Sequence, residues 1–96
     1  MYVYAISNNC NYEITVSNGY AKKESAFLDM IAEMNTALHD MVGNEHSIMP
    51  GEDFSMDDKS FEKSIAGCEV SFTEDGFSLT YGDDCCYGKV AEIAGT

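Results

Sequence analysis

Residues 21–42 read AKKESAFLDMIAEMNTALHDMV, and this stretch decides the fold class because its apolar positions follow the period of an α-helix. Gly43 follows it, where helices commonly end in the left-handed conformation. The pattern predicts an amphipathic helix whose apolar face is centred near Met34 and Leu38. The apolar residues at steps of three and four are Phe27, Met30, Ile31, Met34, Leu38, Met41 and Val42.

The polar side of the same helix carries a row of carboxylates. At about 100° per residue, Asp29, Glu33 and Asp40 lie within about 40° of each other. At about 1.5 Å rise per residue the row is roughly 16 Å long, a length over which duplex DNA presents several phosphates per strand. We expect these three side chains to face solvent on the side opposite the core.

The residues before the helix predict an antiparallel β-hairpin. Residues 2–7 are rich in β-forming types, and Tyr12, Ile14 and Val16 alternate with polar residues. That alternation is typical of a half-buried strand. Residues 8–11, NNCN, indicate the turn between the two strands, and Asn18-Gly19 ends the hairpin.

The residues after the helix predict a loop and a second helix. Residues 43–54 contain the only proline, which favours a loop. A shorter helix is predicted over 56–66, because Ser55 and Asp58 resemble a capping box and Phe61 and Ile65 form an i, i+4 apolar pair. Gly67 is the predicted end of this helix.

The last third of the chain predicts a second hairpin. Apolar residues alternate over 68–72 and over 77–81, and Asp75-Gly76 between them is a strong hairpin signal. A short strand over 89–94 is an optional fifth strand. The predicted fold class is therefore α+β: an antiparallel sheet made from hairpin, two helices and hairpin, with the helices packed on one face and residues 1–96 forming one domain.

The charge balance indicates the kind of partner. The chain has five lysines, no arginine and 17 Asp and Glu, for a net charge of −12, while 45% hydrophobic residues favour a folded chain over a disordered one. Unpaired carboxylates make a folded protein repel itself, so a cause other than stability is expected to retain them. Phosphates and anionic lipids repel such a surface, which favours a basic protein partner. The alternative is an ordinary acidic protein from a salt-adapted organism.

The candidate binding residues are carboxylates on the helix, in the following loop and second helix, and in the hairpin turns. Each of these groups could also be a solvated face without a partner. They are Asp29, Glu33, Asp40, Glu45, Glu52, Asp53, Asp57, Asp58, Glu74, Asp75, Asp83 and Asp84.

Metal sites and catalytic motifs are not predicted. The cysteines and histidines lack the short paired spacings that structural zinc requires. Residues 53–57 have acceptors at alternate positions, but Asp58 stands where a calcium loop needs glycine and Ser64 where it needs glutamate. No phosphate-binding loop or nucleophile signature is present. We therefore expect no cofactor and no enzyme, and keep a metal or redox module at Cys85-Cys86 as the third hypothesis.

The expected location is the cytoplasm. No apolar run reaches the roughly 18 residues that span a bilayer, and the first residues lack the basic start of a signal peptide. The four cysteines are accordingly expected to be reduced thiols.

In its size, lack of arginine, acidity and absence of enzyme motifs, the chain resembles the small phage or mobile-element inhibitors that include anti-CRISPR proteins and other DNA mimics. The resemblance implies stoichiometric binding to the basic groove of a bacterial defence complex, such as a CRISPR effector, which blocks target DNA. It assigns no role to any single residue, and it places the protein in the bacterial host cell. The alternative is an interaction protein that uses Tyr20, Tyr81 and Tyr87 as apolar anchors, with acidity serving only solubility.

Overall fold

The computed structural model describes residues 1–9, 13–55 and 60–93, which form a six-stranded antiparallel sheet with one α-helix across one face. The strand order is β2-β1-β6-β5-β4-β3. The predicted α+β class is confirmed, whereas the predicted numbers of helices and strands are wrong. The elements are β1 (Tyr2–Asn8), β2 (Glu13–Val16), α1 (Lys23–Val42), β3 (Ser60–Ile65), β4 (Cys68–Thr73), β5 (Gly76–Tyr81) and β6 (Asp84–Glu92).

Helix α1 forms as the sequence predicts. It begins two residues later than expected and ends at Gly43, which has φ 106° and whose N–H donates to the His39 carbonyl at 2.9 Å. Met30, Met34 and Leu38 are completely buried against the sheet. Full burial of such side chains stabilises by about 1.5–3 kcal/mol each, so this face of α1 anchors the fold.

The second predicted helix is wrong over its described part. Residues 60–65 form the edge strand β3, in which Phe61 lies opposite Phe72 and Ile65 opposite Cys68. Ala66 and Gly67 connect β3 to β4 with φ of 51° and 90°, the positive values that a two-residue hairpin turn requires. Residues 61 and 65 are four apart, so they share a strand face as well as a helix face. The predicted start of this helix, residues 56–59, lies outside the described residues.

The last strand is longer and more central than predicted. Instead of 89–94, β6 covers Asp84–Glu92 and lies between β1 and β5. Gly88 is the position that hides this strand in the sequence, because it interrupts the apolar alternation of Cys86 and Val90. The Phe77 ring occupies the space beside Gly88, and a Cβ there would collide with that ring. Glycine is therefore required at this position by packing.

The sheet has a covered face and an open face. Helix α1 packs mainly over β6, β1 and β5, and the core lies between them. We call the uncovered side the open face. Its described side chains are Val3, Ala5, Ser7, Ile14, Val16, Ser60, Glu62, Ser64, Glu69, Ser71, Thr73, Ser78, Thr80, Cys85, Tyr87, Lys89 and Ala91.

The hairpin of β1 and β2 forms as predicted, but its apolar alternation points away from the core. Ile14 and Val16 lie on the open face with 75% and 64% of their surface exposed. The prediction of a half-buried β2 is therefore wrong, since all four of its residues are exposed. Tyr12, the first residue of the predicted alternation, lies outside the described residues.

Candidate partner-binding surface

Ten of the twelve predicted carboxylates lie in described parts of the chain, and all ten side chains are exposed. Asp57 and Asp58 lie outside the described residues. Exposure alone does not show that these carboxylates form one binding surface. The ten side chains fall into groups with different surroundings. They are Asp29, Glu33, Asp40, Glu45, Glu52, Asp53, Glu74, Asp75, Asp83 and Asp84.

The carboxylate row on α1 lies on the flank of the helix that borders β1 and β2. The three side chains are exposed, as predicted, but they border the hairpin rather than lying on the side opposite the core. Asp29 accepts a hydrogen bond of 2.7 Å from the Tyr20 hydroxyl, which follows the β1–β2 hairpin. This bond raises the pKa of Tyr20 above its ordinary value of 10.0. Asp29 therefore fixes the helix to the hairpin, while Glu33 and Asp40 continue the row.

Glu33 and Asp40 form one wall of a groove of about 160 Å³ between α1 and the β1–β2 hairpin. The opposite wall contributes a third carboxylate, Glu13 of β2. Glu13 pairs with Asn8, which in turn pairs with the buried Cys86, so all three side chains lie on the face that α1 covers. We call this the acidic groove. It is lined by Ile6, Asn8, Glu13, Thr15, Glu33, Thr36, Ala37, Asp40 and Cys86.

The acidic groove has a negative electrostatic environment. Its described lining contains three carboxylates and no lysine. Within the described ranges, no hydrogen bond or ion pair holds Glu33 or Asp40. Asp40 also lies in the last turn of α1, where the helix dipole adds negative potential. The groove can therefore receive the ammonium or guanidinium group of a partner.

Glu13 is not among the carboxylates predicted from the sequence. The alternation of Glu13 with Ile14 predicts that Ile14 faces the core and Glu13 faces solvent. In the fold the apolar side of β2 faces outward, so Glu13 and Thr15 turn towards α1. The side of a strand that the helix covers depends on long-range packing, which explains the omission.

The carboxylates of the β4–β5 turn lie in a mixed-charge environment. The Lys23 ammonium is 2.5 Å from an Asp75 oxygen, and this pair lowers the pKa of Asp75 and raises that of Lys23. Lys89 also lowers the pKa of Asp75, and Glu74 is close enough to raise that of Lys23. Glu74 and Asp75 therefore belong to a partly neutralised end of the protein rather than to the acidic groove.

Asp83 and Asp84 lie at the opposite end of the sheet from that turn. Gly82 and Asp83 connect β5 to β6, and Gly82 has φ 61°. Asn9 ties this turn to the β1–β2 hairpin: its side-chain N–H donates to the Asp83 carbonyl at 3.2 Å, and its side-chain oxygen accepts from the Cys85 N–H at 2.6 Å. The residue before Asn9, Asn8, lines the acidic groove. The structure thus brings this turn next to the groove.

The loop after α1 holds a separate acidic group. Asp53 closes a turn, because a side-chain oxygen accepts from the Met49 N–H at 2.7 Å. Glu45 lies 3.8 Å from the His46 ring and lines a shallow pocket with Lys63. Glu52 is exposed in the same loop. These three side chains do not contribute to the acidic groove.

The three tyrosines proposed as anchors differ in accessibility. Tyr20 is half-buried and stacks on Tyr4 with ring centroids 6.1 Å apart, so it supports the hairpin. Tyr81 is 38% exposed and Tyr87 is 50% exposed. Tyr87 stands on the open face, where contact with Cys85 raises its pKa. Tyr81 and Tyr87 are therefore the accessible aromatic residues of this set.

The adjacent cysteines point to opposite sides of the sheet, as neighbours in a strand must. Cys86 is fully buried on the covered face and lines the acidic groove, whereas Cys85 is half-buried on the open face. Burial raises the pKa of the Cys68 thiol. In residues 1–9, 13–55 and 60–93, no cluster of three His, Cys, Asp or Glu side chains could hold a metal ion. Cys10 lies outside these ranges.

Comparisons with known proteins add no relative: no family model, curated protein or solved structure matches this chain. Among the described residues, no helix is both long and apolar enough to cross a membrane.

Proposed function

We propose that this protein is a non-enzymatic inhibitor whose carboxylates bind the basic nucleic-acid channel of a bacterial defence complex, in the manner of an anti-CRISPR DNA mimic. The observation that carries the proposal is the acidic groove, where Glu33 and Asp40 face Glu13 with no lysine in the described lining. Phosphate-binding channels present Lys and Arg side chains, which are the groups that this groove can receive.

The distribution of lysine supports the same surface. Lys22 and Lys23 lie at the start of α1, and Lys89 lies close enough to Asp75 to lower its pKa. The acidic groove lies towards the other end of the helix, beside Asp40. Lys63 lies beside Glu45 in the loop after α1, so none of the four described lysines lines the acidic groove, which attracts a positive surface as it approaches.

Binding by this mechanism is electrostatic competition. The cationic side chains of the channel form ion pairs with the groove carboxylates and with the neighbouring Asp83 and Asp84. Those side chains are then not available to bind phosphates. Association is then fast at low ionic strength and slows as salt screens the approach. The complex excludes target DNA without any chemical step.

The test is a pull-down from a bacterial lysate at about 50 mM and about 500 mM salt, followed by target-DNA binding assays on the captured proteins. The baits are wild type and the double reversal Glu33→Lys/Asp40→Lys. A matched control, Glu62→Lys/Glu69→Lys, makes the same charge change on the open face. We expect wild type and the control to capture a nucleic-acid-binding complex at low salt and to block its DNA binding.

The groove reversal is expected to lose this capture, and high salt is expected to weaken it for wild type. Capture that is equal for the two reversals contradicts the assignment of the groove. Captured proteins that bind no nucleic acid, or that still bind target DNA, contradict the proposed function.

A second candidate function is an apolar interaction through the open face. The observation that favours it is the exposure of Tyr87 at 50% on the same face as Ile14 and Val16, which lie across β1 from it. Alanine substitutions distinguish the two functions. Losses of partner binding concentrated at Tyr87, Ile14 and Val16 support the apolar interaction, whereas losses at Glu33 and Asp40 support the inhibitor.

A further inference from the structure

Strand β2 is an exposed sheet edge with apolar side chains. Its four residues are all exposed, and Ile14 and Val16 expose 75% and 64% of their surface. It is the first strand in the order of the sheet, so only β1 pairs with it among the described strands. An apolar edge strand is a template on which another strand can pair.

The backbone groups of Ile14 and Val16 point outward from this edge. The Ser17 N–H donates to the Tyr4 carbonyl at 2.9 Å, so Ser17 faces β1. Because hydrogen-bonded and non-bonded pairs alternate in an antiparallel ladder, Thr15 and Glu13 also face β1. The N–H and C=O groups of Ile14 and Val16 are left on the free side of β2.

The two edges of the sheet differ in where their charges lie: β2 carries its one charge, Glu13, at its first residue. Strand β3 carries Glu62 and Lys63 at its centre, and Lys63 lies on the covered face, opposite the buried Val70. Charges at the centre of an edge strand oppose pairing with another strand. The centre of β2 is Ile14-Thr15, which carries no charge.

The open face beside β2 also lacks carboxylates. In β2, β1 and β6, the described side chains on this face include no Asp or Glu, and their one charged residue is Lys89. In a chain of net charge −12, this is a surface that a second copy can approach without placing carboxylate against carboxylate. The open face at this edge therefore admits another molecule of the same acidic protein, while the carboxylates that border the edge, Glu13, Glu33 and Asp40, lie on the covered face.

We propose that β2 pairs with β2 of a second copy, antiparallel and centred on Thr15. In this register Ile14 lies opposite Val16 of the second copy on the open face, and the two exchange backbone hydrogen bonds. The two-fold axis repeats the pair, which gives four hydrogen bonds and two apolar cross-strand contacts. If the register shifted by one residue, the apolar side chains of the two copies would lie on opposite faces of the paired sheet. Contact between these side chains therefore selects the register centred on Thr15.

The same register keeps like charges apart. Glu13 lies opposite Ser17 of the second copy, and the two Glu13 residues are four positions apart along the ladder. At about 3.4 Å per residue they are separated by roughly 14 Å, which exceeds the Debye length of about 10 Å at 0.1 M salt. The paired sheet has twelve strands, with both helices and both acidic grooves on one face.

This proposal does not depend on the proposed function, and salt distinguishes the two. Both copies are acidic, so screening strengthens the pairing of β2 with β2. Binding of the acidic groove to a basic partner is instead weakened by salt. A four-residue contact is small, which places this pairing among weak, concentration-dependent interfaces.

The test is sedimentation equilibrium and amide exchange by NMR between about 10 μM and about 1 mM protein. We expect the mass to rise towards twice the monomer. The amides of Ile14 and Val16 are expected to exchange at least about tenfold more slowly at the high concentration. The amides of Glu13 and Thr15 already bond to β1, so their protection should not change with concentration.

Val16→Pro removes one outward N–H that β1 does not use, so we expect the fold to survive and the dimer to be lost. Ile14→Lys/Val16→Lys is a second variant that keeps the backbone donors but removes the apolar pairs. Ile93→Lys also replaces an exposed isoleucine with lysine, but just after β6 and away from the edge, so it should leave the dimer intact.

A protein that stays monomeric to 1 mM at high salt overturns the proposal. So does a dimer that survives Val16→Pro, or one that Ile93→Lys abolishes equally, because these results indicate packing through the open face. Slowed exchange at Glu13 but not at Ile14 also overturns it.

Discussion

Removing the charge from the groove carboxylates of α1 should make the protein more stable. In the variant Glu33→Gln/Asp40→Asn, each side chain keeps its size and loses its charge. Neither carboxylate forms a hydrogen bond or an ion pair with a described residue, so no native contact is lost. Electrostatic repulsion is removed instead, and two of its sources have sizes that follow from the helix geometry.

The first source is repulsion between the two carboxylates. They are seven residues apart on one helix, or about 10 Å, where two charges in water interact with about 0.4 kcal/mol at low salt. The second is the helix dipole at Asp40, which lies two residues before the end of α1 and opposes a negative charge by about 0.3–1 kcal/mol. The sum is about 1 kcal/mol, or a melting temperature about 4–8 °C higher for a domain of this size.

Thermal unfolding followed by circular dichroism at about 10 mM and about 1 M salt measures this gain. The control Glu62→Gln/Glu69→Gln makes the same change in net charge on the open face and should gain less. The gain in the groove variant should largely disappear at high salt. A variant less stable than wild type, a gain that survives high salt, or an equal gain in the control would refute the reasoning.

Three further predictions test the fold. Ala66→Asn should stabilise by about 1 kcal/mol in urea unfolding, because asparagine tolerates the φ of 51° in the β3–β4 turn better than alanine does; a loss contradicts the assigned turn. Gly88→Ala should destabilise by about 1–3 kcal/mol, because its Cβ meets the Phe77 ring; unchanged stability contradicts this packing. The hydrogen bond to Asp29 raises the pKa of Tyr20 in the folded state, so its contribution to stability is present below the unfolded pKa of 10.0 and is lost as the pH rises above that value. Tyr20→Phe should therefore reduce the loss of stability between about pH 8 and about pH 11 in unfolding measurements. An identical loss in wild type and variant contradicts the contact.

Helix α1 and the β4–β5 hairpin could be predicted because their signals are local. Twenty residues with one apolar stripe fix α1 without knowledge of the remaining chain. The Asp75-Gly76 turn likewise fixes which strands it connects, and Phe72 lies opposite Phe77 as a hairpin requires.

Strand β3 and the first part of β6, before residue 89, could not be predicted because long-range pairing decides them. Phe61 and Ile65 satisfy both helical and strand spacing, and only their partners on β4 select the strand. In β6 the residue that would complete the alternation is Gly88, which is required by the Phe77 ring from the neighbouring strand. A packing requirement between strands leaves a gap in the hydrophobic pattern of one strand.

The candidate site was partly predictable for the same reason. Helical spacing indicated that Glu33 and Asp40 share a side of α1 and are exposed, as they are. The spacing gave no indication that Glu13 would complete a groove with them, or that Lys23 would pair with Asp75. Both contacts join elements that are distant in sequence, so they follow from the topology of the sheet.

The proposed function requires the acidic groove to bind a basic partner by charge. The association rate constant for the captured complex, measured against ionic strength for wild type and for Glu33→Lys/Asp40→Lys, tests this requirement. We expect the rate constant for wild type to fall at least about tenfold between about 0.05 M and about 0.5 M salt, and the reversal to associate much more slowly with little salt dependence. A wild-type rate constant that does not change with salt, or equal rates for the two proteins, would contradict it.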